Sequence, residues 1–338
     1  MSRAAAVLTA LAGGVVVLGL LGLALGPVRV PLADTTRILL GAAPSDPRWQ
    51  VIVADMRLPR ALTAIAAGAG LGVAGLQMQT LFRNTLADPY VLGVSSGASL
   101  GVAVVVMATG TGFSCGGRAG VVVAAALGAA LVLAVVLLLA RRVRSAASLL
   151  LIGVMVGAFG TAIVSVLLAY ADPQRVQQYL LWGLGSFAGT GWADLRLLLP
   201  LVAVGLAACA LTVRPLNALL LGEGYARTMG IDVRRVRLIT VASGSLLAGA
   251  TTAFCGPIAF LGLAVPHVTR LALGTSDHRL VLPGVVLTGA AVALGCGIVS
   301  QVPGRDAVLP LNAVTALIGA PIVVAVLLRS RRGVGMAP

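Results

Sequence analysis

Residues 216–237, LNALLLGEGYARTMGIDVRRVR, form a polar, arginine-loaded segment between two long apolar parts of the chain. Arg227, Arg234, Arg235 and Arg237, joined by Arg214 just upstream, set five positive charges against Glu223 and Asp232. Before this segment, apolar stretches occupy 4–25, 61–81, 91–109, 119–140, 148–170 and 195–213; after it come 238–268, 281–302 and 309–328. A spanning helix needs about 20 apolar residues, so six candidates precede the charged segment. The stretch 238–268 is too long for one crossing and is broken by Gly256 and Pro257.

Parity decides how that stretch is laid out. The last two candidates form a hairpin, so Arg270 and Arg279 at one end must share a face with Arg329, Arg331 and Arg332 at the other. If 214–237 lies on that same face, an even number of crossings separates Arg237 from Arg270. The stretch is then a helix, a turn at Gly256 and Pro257, and a short return over 258–269. The expected fold is an all-α polytopic membrane protein with ten transmembrane helices and both termini cytoplasmic. Residues 1–338 form one domain, with 214–237 a cytoplasmic loop between helices six and seven. This layout puts fifteen arginines inside and nine outside, the bias that orients membrane proteins.

Composition points the same way. Hydrophobic residues make up 59% and charged residues 10%, against about a quarter charged in soluble domains. The 43 glycines suit helices that pack through small residues in lipid. The net charge of +14 is all arginine in short loops without interleaved aromatics, which argues against nucleic acid. Cys115, Cys209, Cys255 and Cys296 show no CxxC spacing. The first 26 residues resemble a signal peptide with Arg3 as its positive end, yet 4–25 is long enough to span, and an uncleaved first helix is expected.

Absences narrow the chemistry. The chain has no lysine, so the GxxxxGK[ST] phosphate loop is impossible and ATP is not bound in that way. His267 stands alone and His278 sits between Asp277 and Arg279, so no metal site is expected. The helix interiors lack Asp, Glu and Arg, whereas ion-coupled carriers keep ionisable groups at mid-membrane. A secondary transporter with carbonyl-built sodium sites stays open as the alternative.

Two further stretches carry signals. Residues 83–98, RNTLADPYVLGVSSGA, combine turn formers (Asn84, Asp88, Pro89) with Ser95 and Ser96, and Gly93, Gly97 and Gly101 recur every four residues. A tight turn into a packing helix and a functional loop both fit. Arg57-Leu58-Pro59-Arg60 opens the second helix, placing two arginines one turn apart. They serve either as headgroup anchors or as a dock for acidic groups of an external partner.

These stretches, together with LGEGYARTMGI at 221–231, GPIAFLGLAVPHVTR at 256–270, DHRLVLPG at 277–284 and LPLNAVTALIGAP at 309–321, resemble in order the FecCD and BtuC-like permease subunits of type II ATP-binding-cassette importers, which carry ferric siderophores, haem and cobalamin. The resemblance covers nearly the whole chain. It implies two permease subunits, homo- or heterodimeric, around a translocation path in the bacterial plasma membrane. Two cytoplasmic ATPase subunits would hold ATP–Mg, with no cofactor on this chain, and a substrate-binding protein would dock outside.

Carried over by position, the resemblance makes Leu221, Gly222, Glu223, Ala226, Arg227 and Gly230 the ATPase-coupling helix, with Glu223 and Arg227 its polar contacts. Arg57, Arg60 and Arg305 would receive the binding protein; Ser145, Ala146, Ala147 and Ser148 would form the cytoplasmic gate; Arg83, Asn84, Asp88, Pro89, Ser95 and Ser96 would belong to the translocation-path loop. Arg234, Arg235 and Arg237 look like topology anchors. Thr85, Gly224, Gln301 and Val308 depart from the family pattern; with Ala146 and Ala147 in the gate, a hydrophobic constriction is expected. The 309–321 ending leans the substrate towards an iron–siderophore, with haem or cobalamin as alternatives.

Overall fold

The computed structural model describes residues 3–108, 117–143, 145–301 and 308–334, with side chains described through 325 in the last segment. Regular structure among the described residues is helical. The chain begins with α1 (Arg3–Ala24), α2 (Leu32–Leu39) and α3 (Pro47–Gln50), then a π-helical segment Val51–Arg57 that runs directly into α4 (Leu58–Leu81). A 3-10 turn at Pro89–Leu92 precedes α5 (Val94–Ala108), α6 (Gly117–Ala140), α7 (Ala146–Ala169), α8 (Pro173–Gly183) and α9 (Trp192–Leu211). The charged segment holds α10 (Val213–Leu220) and α11 (Glu223–Thr228); α12 (Val233–Cys255), α13 (Leu261–Leu273), α14 (His278–Ser300) and α15 (Leu311–Val334) complete the chain.

Seven helical spans among the described residues are long and apolar enough to cross a membrane, and three shorter apolar helices, Val94–Met107, Leu261–Leu273 and Leu311–Ala325, accompany them. The centre of the bundle is α4, buried almost without interruption from Ala66 to Leu81, with α9, α12, α13 and α14 packed around it. Glycine makes that packing possible. A Cβ on Gly68 would strike the Gly289 carbonyl and Ala293 Cβ, and one on Gly97 in α5 would lie 2.5 Å from the Gly128 carbonyl of α6. Backbones this close gain dispersion contacts that lipid cannot supply.

The break expected at Gly256 and Pro257 is present, and it is a stretch of non-helical chain rather than a simple turn. Gly256 (φ 73°) and Phe260 (φ 68°) both take left-handed backbone. The freed amides between them find side-chain partners: Ile258 N–H donates to the Tyr90 hydroxyl at 3.3 Å and Ala259 N–H to Asn312 Oδ1 at 3.0 Å. Non-helical backbone at depth is tolerated when protein groups satisfy it in this way. Within α13, Pro266 has no N–H for the Gly262 carbonyl. That carbonyl faces Gly75 of α4, where any Cβ would collide with it.

Candidate functional site

The charged segment is built as three short units. After α9, the chain turns at Thr212, whose hydroxyl donates back to the Cys209 carbonyl at 2.8 Å, and enters α10. This helix buries Leu216, Ala218 and Leu219 and leaves Asn217 to make polar contacts. Asn217 Nδ2 donates to Asp277 Oδ1 (2.6 Å), while its Oδ1 accepts from the His278 amide (2.9 Å) and its imidazole Nδ1 (2.7 Å). The other ring nitrogen of His278 lies 2.9 Å from Thr80 Oγ1 at the end of α4. Thus α10 is fastened to the start of α14 and the end of α4. The Asp277 carboxyl is held below the ordinary aspartate value by the Arg279 amide, then by the Asn217 side chain.

The second unit is α11, bracketed by glycines in conformations other residues avoid, Gly222 at φ 115° and Gly230 at φ 77°. Ala226 is fully buried beneath the helix, while Leu221, Tyr225 and Met229 stand 66%, 52% and 59% exposed. Leu221 precedes Gly222, Tyr225 lies in α11 and Met229 is its C-cap, so three large exposed apolar side chains lie on and beside this short helix. Exposed apolar surface with a charged rim marks a docking surface. The rim is Arg227, paired with Glu223 at 3.2 Å. The six residues read from the sequence as coupling residues fall in one ten-residue unit, and Tyr225 and Met229 add exposed apolar surface to it that sequence reasoning missed.

Glu223 is shared. Its other carboxylate oxygen lies 2.9 Å from Arg237 of α12, whose side chain is only 5% exposed. Arg237 also donates to the Val143 carbonyl at 3.3 Å, and Arg234 to the Arg141 carbonyl at 2.8 Å. Arg234 and Arg237 thus hold the loop after α6, and composition alone gave no sign of it. At the far end of that loop, Ser145 caps α7, accepting from the Ser148 amide at 3.0 Å; Ala147 and Ser148 are exposed and Ala146 half-buried. The four residues read from the resemblance as a gate are the N-cap and first turn of α7.

In residues 83–98 the turn chemistry is realised locally. Arg83 adopts φ 48° and places Nη1 3.8 Å from where a Cβ on Gly222 would sit, bringing this loop to α11. Asn84 Oδ1 accepts from the Leu86 amide and Asp88 Oδ1 from the Tyr90 amide. Pro89 packs on Gly262, and Gly93, at φ 78°, lies against Gly153 and Gly157 of α7. Ser95 and Ser96 are half-buried, Ser96 facing Gly157 and Gly160.

At the opposite end of the bundle Arg57 turns inward. It is 5% exposed and donates to the Leu23 carbonyl at 2.7 Å and to the Val28 carbonyl, closing the end of α1. Arg60 is half-buried and borders a crevice with Gln301; Arg60 Nε and Gln301 Oε1 are buried without a hydrogen-bond partner. Both arginines border that crevice, Arg57 the more deeply buried of the two. Arg305 lies outside the described residues. Among the described residues no three His, Cys, Asp or Glu side chains are grouped as metal ligands.

The FecCD transport family matches residues 14–329. The vitamin B12 import system permease protein BtuC of Escherichia coli O9:H4 (strain HS) is 38% identical over 286 residues, covering 85% of this chain and 86% of that protein. The uncharacterized ABC transporter permease protein YvrB of Bacillus subtilis (strain 168) is 35% identical over 323 residues, 93% of this chain and 91% of that one. Among solved structures, a metal-chelate type ABC transporter in an inward-facing conformation superposes with a TM-score of 0.84 at 28% identity, covering 95% of this chain and 98% of that chain. An ABC transport permease architecture and an integral membrane location follow. The chain belongs to the FecCD transport family.

Proposed function

We propose that this chain is the permease subunit of an importer that moves a metal chelate of the iron–siderophore type inward by ATP-driven alternating access. The observation that carries the reading is α11 with its flanks, bracketed by two glycines at positive φ, where Leu221, Tyr225 and Met229 stand exposed at the end of an otherwise lipid-suited bundle. A separate ATPase subunit seats on this surface, and Arg227 and Glu223 supply its polar rim. Seven long spans and three shorter apolar helices make up ten crossings with both termini in the cytoplasm. α13 is the shortest, its 13 residues rising about 20 Å, short of the about 30 Å hydrocarbon core. A second permease subunit completes the path, and an extracytoplasmic binding protein delivers the chelate.

Cobalamin is the second reading, favoured by the 38% identity to permeases named for vitamin B12 import. The test is uptake in proteoliposomes holding the chain with its co-purified ATPase and binding protein. Uptake of a radiolabelled ferric siderophore that requires internal ATP supports the proposal. ATP-dependent uptake of cyanocobalamin alone replaces the substrate, and uptake driven by an ion gradient without ATP removes the importer reading altogether.

A further inference from the structure

We propose that Arg237 is a positioning residue that ties α11 to the loop between α6 and α7, so that displacement of α11 is delivered to the start of α7. The inference rests on the reading that an ATPase meets α11, and it assigns a role that exposed charge alone would not.

Arg237 lies near the N-terminal end of α12, among the first helical residues. Unlike an arginine held at a membrane surface by its charge, it is 5% exposed and reaches two other elements at once. One guanidinium nitrogen lies 2.9 Å from Glu223 Oε1, at the start of α11; another donates to the carbonyl of Val143, 94 residues away in sequence. Arg234, one turn earlier, donates to the Arg141 carbonyl. Both carbonyls follow the last helical residue of α6, Ala140, where main-chain acceptors have no helical donor of their own. Two side chains of α12 therefore supply what the end of α6 lacks.

The two ion pairs of Glu223 are unequal. The Arg227 pair is an i, i+4 contact with Arg227 64% exposed, so water and salt compete for it. The Arg237 pair has one partner almost wholly out of solvent, and a planar guanidinium can hold a carboxylate and a carbonyl together in fixed geometry. The Arg227 pair lies within α11 and travels with it, whereas the Arg237 pair joins α11 to α12, so a movement of α11 pulls on Arg237. Arg237 thus holds Val143, two residues before Ser145, whose side chain caps α7. An open pocket bordered by Arg141, Arg142, Arg227, Asp232, Arg234 and Arg237 lies beside these contacts.

The test uses the assembled transporter, permease with ATPase and binding protein, in proteoliposomes, and reads substrate molecules moved per ATP hydrolysed. Arg237→Ala is expected to lower that ratio about 10-fold, within the usual range of coupling between sites, while the folded fraction still co-purifies with the ATPase. Arg237→Lys, which keeps the charge without the fork, is expected to restore part of it. Glu223→Gln is expected to lower the ratio too, and the double substitution to be no worse than Arg237→Ala alone. If Arg237→Ala does not fold, Glu223→Gln carries the test, because it leaves the tether to Val143 in place. An unchanged ratio in a folded, ATPase-bound variant, or additive losses in the double variant, overturns the proposal. Failure of the wild-type chain to retain any ATPase overturns the importer reading instead.

Discussion

Two glycines two residues apart at the head of α11 should respond to alanine with opposite sign. Gly222 sits at φ 115°, ψ 154°, and a Cβ there would find only Arg83 Nη1, at 3.8 Å. Space is available, so the penalty is backbone strain, about 1–3 kcal/mol for a side chain in such a region. At 1.4 kcal/mol per factor of ten, α11 would occupy its seated geometry about 5- to 150-fold less. Gly224 lies inside α11 with nothing within 4 Å of its Cβ position, and there alanine should favour the helix by up to about 1 kcal/mol. The assay is ATP-driven uptake by the reconstituted complex, with thermal unfolding in detergent as control. Gly222→Ala should cut uptake at least 5-fold without moving the unfolding midpoint, because α11 lies outside the central packing around α4. Gly224→Ala should transport normally. Wild-type uptake in Gly222→Ala would refute the claim that α11 geometry matters; equal damage from both would mean that the partner presses directly on the Gly224 Cα.

Other outcomes follow from the packing. Gly75→Ala forces a methyl against the Gly262 carbonyl and should destabilise the bundle by about 3 kcal/mol, visible as a lower unfolding midpoint and poor yield; a stable variant would mean that α13 can slide on α4. Arg57→Ala strips donors from the Leu23 and Val28 carbonyls and should cost about 1.5–3 kcal/mol, with Arg57→Lys recovering part; loss of binding-protein affinity at unchanged stability would instead make Arg57 a docking residue. Asp277 is ordinary in solution at 3.8 and lowered in the fold, so its stabilisation is complete above that value and is lost as pH falls through the folded one. Melting should therefore weaken below about pH 4, and Asp277→Asn, which can still cap α14, should flatten that acid limb; an unchanged limb would deny Asp277 a share in it.

The helical class and the charged segment were legible because long apolar runs and arginine loops are local signals. Boundaries were less so, for identifiable reasons. The second span was expected from 61, but the helix continues upstream through a π segment to Pro47, and no local pattern distinguishes that extra winding. The third was expected from 91, whereas Pro89–Leu92 forms a 3-10 turn and Gly93 must turn left-handed before α5 begins. The return helix was expected at 258–269 and runs from Leu261 to Leu273, since Tyr90 and Asn312 hold residues 258 and 259 out of helix. Within the candidate site, the resemblance marked out Leu221 to Gly230, which the structure forms as α11 with its two flanking glycines. Arg237 was not readable, because its meaning lies in a carbonyl 94 residues away and in burial, neither of which leaves a trace in composition.

The polar contacts also suggest why motion of α11 should reach one side of the bundle and not the other. On one side α10 is fixed through Asn217 to Asp277 and His278, and through His278 to Thr80. Those partners begin α14 and end α4, the two helices locked together at Gly68 and Gly289. A displacement sent that way meets close-packed backbone, which resists continuous deformation. On the other side, Glu223 leads through Arg237 to Val143, and Arg234 holds Arg141, beside an open pocket. Beyond them α7 touches the bundle mainly at α5 and the 3-10 turn, with Gly153 and Gly157 against Gly93, over a smaller interface than the one joining α4 and α14. Movement imposed at α11 thus has a stiff route and a compliant one, and the compliant one ends at the residues assigned to the gate.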